Sequence, residues 1–211
     1  MAPPGRPRGI DDAAILRAAV DVMGRTGPAR LTLAAVAKEV GLVPATLSQR
    51  FGSKRGLLLA LSERGVAEIG RLHERVRAEH ASPLDALAAL TAGAWSAVVT
   101  PEEVANHLAF LCADLADPEF HRLALAAEQA QQDAVRSLLD EAVAAGELRP
   151  DTTTALLARS VRQATTGAGV LWAVDREGTF TGRRLDALET TLHPHRAAPP
   201  RPTPHRPEET Q

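Results

Sequence analysis

The sequence predicts an all-α protein of about nine helices, with a small N-terminal three-helix unit joined to a larger helical body. Two observations predict it. Apolar residues recur at helical rather than alternating spacing in a chain rich in alanine, leucine, valine and arginine, with aromatics only 3% of 211 residues. Ser82-Pro83, Thr100-Pro101 and Asp117-Pro118 also repeat one device, a capping side chain followed by proline at the first helical position.

Each helix is placed by its start and stop signals. Asp11 or Asp12 caps a first helix with the apolar face Ile15, Ala18, Ala19, Val22 and Met23, and Gly27-Pro28 ends it. Thr32 caps a second helix from Leu33 to Val40, Gly41 breaks it, and Pro44 opens a third that runs to about Phe51. Ser53 caps a long fourth helix to about His80. The three Pro signals start the fifth, sixth and seventh; Thr100 with Glu103 forms a capping box, and Gly146 ends the seventh. Asp151 is expected to open an eighth helix that stops near Gly178, and Arg183 to Leu192 to form the ninth.

The formal net charge of −2 is unevenly spread. Residues 1–55 hold nine basic side chains against four acids, and the remainder holds 15 against 22. A basic head on an acidic body directs the head, and not the whole protein, toward a polyanion. A single cysteine, Cys112, makes no internal disulfide, no apolar run reaches the ~18 residues of a bilayer span, and the opening MAPPGRPRGIDD lacks a signal-peptide apolar stretch. The expectation is a cytoplasmic protein with no membrane partner. Residues 1–9 read as a flexible basic arm, 10–55 as the helix-turn-helix unit, 56–193 as the body, and 194–211 as a Pro-rich tail unable to bury apolar surface.

Leu33 to Phe51 carries the most information. Ala37 is small where two helices cross, Gly41 follows by four where a turn needs positive φ, and Leu47 lies six further on, locking the next helix down. Outward from that second helix point Val43, Pro44, Ala45, Thr46, Ser48, Gln49 and Arg50. Ala45 and Thr46 suit a thymine methyl, Gln49 adenine or a phosphate, and Arg50 guanine or backbone. Lys54 adds charge to a helix N-terminus that attracts phosphate, and Arg6 and Arg8 extend the positive surface.

Ile15 to Val20, Gly27, Leu31-Thr32, Val36-Ala37, Gly41 to Leu47, Phe51, Ser53-Lys54 and Leu57-Leu58 together resemble the DNA-binding domain of the TetR family of transcriptional regulators. The resemblance implies a homodimer on a near-palindromic double-stranded operator, release by a small-molecule effector, and contacts from Thr32, Thr46 and Lys54 to the sugar-phosphate backbone. Ser48 and Arg50 stand where the family usually has a backbone-contacting tyrosine and histidine, and Val43 replaces the usual serine cap. The operator sequence therefore does not transfer from relatives.

In the body, Leu157, Val161, Ala164, Ala168, Leu171 and Trp172 form one apolar stripe and Leu185, Leu188 and Leu192 another, read as a four-helix dimer interface or, alternatively, as intrachain core. Trp95, His107, Phe110, Leu111, Cys112, Leu115 and Gln129 are the effector-site candidates, each bulky or polar on an alanine-rich surface. The scarcity of aromatics points to an aliphatic, hydrophobic ligand. Core packing explains any one of these residues equally well. No cofactor or metal is expected: His73 and His80 lie two turns apart, His107 and Cys112 are five residues apart, and neither pair is a chelate. No GxSxG elbow, phosphate-cradling glycine loop or HExxH helix supports an enzyme. The expected function is a ligand-responsive regulator, a repressor by family habit; the alternative is a ligand-independent architectural or antirepressor dimer, whose body needs no cavity.

Overall fold

The computed structural model describes residues 10–96, 98 and 100–197, and side chains for all of these but 113 and 114. The arm with Arg6 and Arg8, and the tail beyond residue 197, lie outside the described residues. Among the described residues the chain forms nine α-helices: α1 Asp12–Thr26, α2 Leu33–Glu39, α3 Pro44–Phe51, α4 Lys54–Glu79, α5 Pro83–Gly93, α6 Pro101–Ala116, α7 Pro118–Ala144, α8 Thr154–Asp175 and α9 Phe180–Leu192.

The capping signals do what their chemistry requires. The Asp11 carboxylate accepts from the Ala14 amide at 2.7 Å, and the Thr32 and Ser53 hydroxyls accept from Ala35 and Gly56, each at 3.1 Å. Thr100 and Glu103 close a reciprocal capping box at 3.2 and 3.0 Å. Gly41 adopts φ +67 and reverses the chain between α2 and α3.

Three expected boundaries differ. Asp151 does not open α8: it pairs with Arg149 at 3.2 Å in a turn closed by the Thr152 amide on the Arg149 carbonyl, and the helix starts at Thr154. It stops at Asp175, short of Gly178, because Arg176 takes a left-handed conformation, φ 60. α9 begins at Phe180, three residues before the expected Arg183, since the Thr179 hydroxyl caps it by accepting from Gly182. The earlier start brings Phe180 against Gly169, where a Cβ would stand 2.8 Å from the phenyl ring.

The apolar faces form two principal cores bridged by α4. The N-terminal core packs Ile15, Ala19, Val22, Met23, Leu31, Val36, Ala37 and Leu47 with Leu57, Leu58 and Leu61 of α4 and Phe120 of α7. The division expected at residue 55 therefore falls short, because the first turns of α4 belong to the head. The body core joins Val76 of α4 to Leu84 and Leu87, Leu138 and Leu139, Leu157 and Val161, and Leu188 and Leu192. A third cluster collects Val98, Val104, Trp172 and Phe180, with Trp95 packed against it.

The stretch from Pro194 begins as structure and not as tail. His193–His195 form a 3-10 turn, and Arg149 and Ala197 donate to the carbonyls of His195 and Glu147. No helix among the described residues is long and apolar enough to cross a membrane.

Candidate DNA-binding face and internal cavity

Leu47, fully buried, pins α3 onto α1, α2 and α4, and this leaves the opposite face of α3 open. Pro44, Ala45, Ser48, Gln49 and Arg50 are exposed there and Thr46 is half-buried. Thr32 is exposed at the start of α2, and Lys54 lies at the start of α4. The predicted contact residues thus lie at the start of α2, along α3 and at the start of α4, and all but Thr46 and Lys54 are exposed. Two of the cations are engaged internally: the Arg50 guanidinium donates to the Ile10 carbonyl at 2.6 Å and to Asp12 at 3.1 Å, and the Lys54 ammonium donates to the Ala29 carbonyl at 2.9 Å. Arg50 thereby ties the end of α3 to the start of α1. Val43 makes no side-chain cap bond and is 63% exposed.

The head is clamped to the body at two places. The Asn106 amide on α6 donates to the Gly24 carbonyl near the end of α1 at 2.6 Å. Arg55 on α4 donates to Asp117 at 3.0 Å and Glu119 at 2.8 Å, with its guanidinium 5.4 Å from the Phe120 ring centre. The hydrogen bond from Arg55 holds the Asp117 carboxyl below the usual range, and the same bonds raise the Arg55 pKa.

In the body, α4, α5, α7, α8 and α9 line a partly open cavity of about 400 Å³. Leu72, Ile69, Leu90 and Val135 supply apolar wall; Arg162, Arg184, Thr91, Thr165 and Gln131 supply polar wall. Gly93 belongs to the wall because a Cβ there would stand 3.0 Å from Leu72. Arg184 is 3% exposed and donates to the Thr91 carbonyl at 2.6 Å. Burial, with the Arg162 charge beside it, lowers its pKa to about 10, so it stays protonated at neutral pH. Arg162 donates to Glu128 at 2.7 Å, while its Nε and the Gln131 side-chain oxygen are buried without a partner.

None of the seven effector candidates lines this cavity. Trp95 and His107 pack together, ring centres 5.5 Å apart, and Trp95 lies 6.0 Å from Phe180, in the aromatic cluster between α6, α8 and α9. Phe110 packs edge-on against Phe120 at the head–body junction. Leu111, Cys112, Leu115 and Gln129 face outward. They were singled out for bulk or polarity, properties that do not distinguish a cavity wall from an aromatic core or a surface. The cavity wall itself mixes aliphatic side chains with guanidinium, hydroxyl and amide groups. A signal for Arg184 was present in the sequence: it stands four and eight residues before Leu188 and Leu192, on the buried stripe.

The interface candidates divide. Leu157, Val161, Trp172, Leu188 and Leu192 are each at most 6% exposed within one chain and serve its own core. Ala164, Ala168 and Leu185 are half-buried, and Leu171 is exposed. A second stripe, Leu156, Gly167, Leu171 and Val174, faces outward along α8.

A helix-turn-helix with an open second helix is the geometry that fits a major groove. Residues 15–61, within the head, match the model of bacterial regulatory proteins of the tetR family, and the whole chain has the TetR-type fold. The structure is similar to that of the ketosteroid transcriptional regulator KstR2 of Mycobacterium tuberculosis (20% identity over 90% of this chain and 97% of that one, TM-score 0.60). It is similar also to SmeT, the repressor of the Stenotrophomonas maltophilia multidrug efflux pump SmeDEF (21%, 89% and 91%, 0.64). A third similar structure is the regulator FadR from Bacillus subtilis in complex with stearoyl-CoA (19%, 86% and 98%, 0.63). No curated protein matches the chain by sequence.

Proposed function

We propose that this chain is a ligand-responsive transcriptional repressor that binds a near-palindromic operator as a homodimer and is released by a small-molecule effector. The observation that carries the reading is the body cavity of about 400 Å³, a volume in the range of small-molecule sites, walled in part by the same helix that enters the DNA-binding head. A ligand-independent architectural protein needs no such space, so the cavity counts against that alternative. Similarity to a repressor and to a regulator solved with an acyl-CoA supports the same reading.

The open α3 face supplies base contacts, and Thr32, Thr46 and Lys54 supply phosphate contacts. Two such heads need a spacing of roughly one helical turn of DNA, and an effector acts by favouring a dimer in which that spacing is lost. The partner copy docks on the outward stripe of α8 and the adjoining face of α9, with half-buried Ala164, Ala168 and Leu185 flanking Leu171.

Selection of fragments of the source genome by the purified protein at physiological salt tests the reading. The expected result is a shared inverted repeat, bound by wild type and lost when Lys54 and Arg50 are replaced by alanine. Salt-sensitive binding with no shared motif would support the architectural reading instead.

A further inference from the structure

We propose that the cavity between α4, α5, α7, α8 and α9 receives a small amphipathic monocarboxylate, its anionic end on Arg184 and Arg162 and its aliphatic body against Leu72, Ile69, Leu90 and Val135. The inference rests on the sensor reading above and names the class of effector.

The charge on the wall is the first argument. Among the described residues no carboxylate lies within ion-pair distance of Arg184, although it is almost wholly buried. A buried guanidinium without an acid is costly, and such charges in folded proteins are normally paired. Arg162 and Arg75 add two further cations to the wall, and Glu128 offsets only Arg162. The wall therefore carries an excess of positive charge that suits an anion, and its aliphatic part suits a carboxylate on an apolar body. Glu68, the acid on the cavity wall, is already held by Arg71 and Arg64 and does not reach Arg184.

Hydrogen-bonding capacity is the second argument. The buried Nε of Arg162 is a donor without an acceptor, and the buried side-chain oxygen of Gln131 is an acceptor without a donor; both residues line the cavity. A carboxylate accepts from the first, and a hydroxyl on the same ligand donates to the second. The four aliphatic side chains leave the rest of the molecule an apolar bed. The site thus favours a hydroxylated carboxylic acid over the plain acid, and either over its neutral amide.

Isothermal titration calorimetry and thermal unfolding of the full-length protein would use octanoate, 3-hydroxyoctanoate, octanamide, octan-1-ol and octyltrimethylammonium. Octanoate is expected to bind at least about tenfold more tightly than octanamide, because charge-assisted hydrogen bonds are the strong ones, and 3-hydroxyoctanoate more tightly still. Arg184→Met and Arg162→Gln should each weaken octanoate by about tenfold while leaving octan-1-ol unaffected. Should Arg184→Met fail to fold, Arg162→Gln and the compound series still decide. Equal binding of octanoate, octanamide and octan-1-ol, preference for the ammonium compound, or unchanged octanoate binding in the folded variants would overturn the carboxylate assignment and leave the sensor reading standing. Absence of binding by every compound, in protein that still binds its genomic sites, would overturn the assignment and count against the sensor reading too.

Discussion

Gly27 and Asn106 show how much one backbone position can carry. Gly27 has φ +81, and a Cβ on it would stand 2.8 Å from the Asn106 side-chain oxygen, whose own amide holds the Gly24 carbonyl. Gly41 has a similar φ, +67, with nothing within 4 Å of a Cβ. Gly41→Ala should therefore cost only the left-handed strain of about 1 kcal/mol, and Gly27→Ala about 2–3 kcal/mol because the clamp on α1 is disturbed as well. Equal losses in denaturant unfolding would remove the clamp from the explanation. Asp117 gives a pH signature. Its folded pKa lies below the unfolded value, so its contribution is fully present above about pH 5 and is lost as pH falls through about 4 toward the lower folded pKa. Asp117→Asn keeps a capping side chain but not the charge, so the difference in melting temperature between wild type and variant should narrow between about pH 5 and pH 3. A constant difference across that range would locate the effect elsewhere.

Among the elements, α3 is under-capped: Val43 offers no acceptor to the free amides of the first turn. Val43→Ser should add about 0.5–1 kcal/mol of stability, since the valine is 63% exposed and little burial is lost; an unchanged unfolding midpoint would show that Pro44 already suffices. The same contrast explains what the sequence disclosed. α1 through α7 announced themselves because side-chain caps and N-terminal prolines are local chemistry, legible three residues at a time. The start of α8 was not legible, because Thr153 makes no cap bond and a turn held by Arg149 and Asp151 competes with the helix. α9 starts earlier than Arg183 because the Thr179 hydroxyl accepts from the Gly182 amide and caps the helix at Phe180. The exposed face of α3 could be read because its residues lie within a single short helix. The cavity could not: its walls come from five helices, and only the assembled body brings Arg162 and Arg184 side by side. An arginine in step with Leu188 and Leu192 was the available clue.

For the molecule as a whole, dimer and DNA contacts can be tested separately. Leu171 is 59% exposed on the outward stripe of α8 and contributes little to the chain's own core. Leu171→Glu should leave helicity intact and shift the mass measured by light scattering from dimer to monomer, with operator binding lost in parallel; a dimer that persists would move the interface off α8. Lys54→Ala should weaken binding similarly across related operator sequences and reduce the salt slope by about 1, the signature of one lost phosphate contact. A loss confined to particular base substitutions would instead make Lys54 a sequence reader. α4 spans 26 residues, and its first turns are embedded in the head while its later turns wall the cavity. At 1.5 Å per residue the stretch from Lys54 to the middle of the cavity wall is about 24 Å long, so pivoting the helix there by about 8° carries its first residue through about 3 Å. That is close to the ~3.4 Å rise of one base pair. On the proposed sensor reading, a small rotation of one helix beside the cavity becomes a displacement of the head comparable to a step along the duplex.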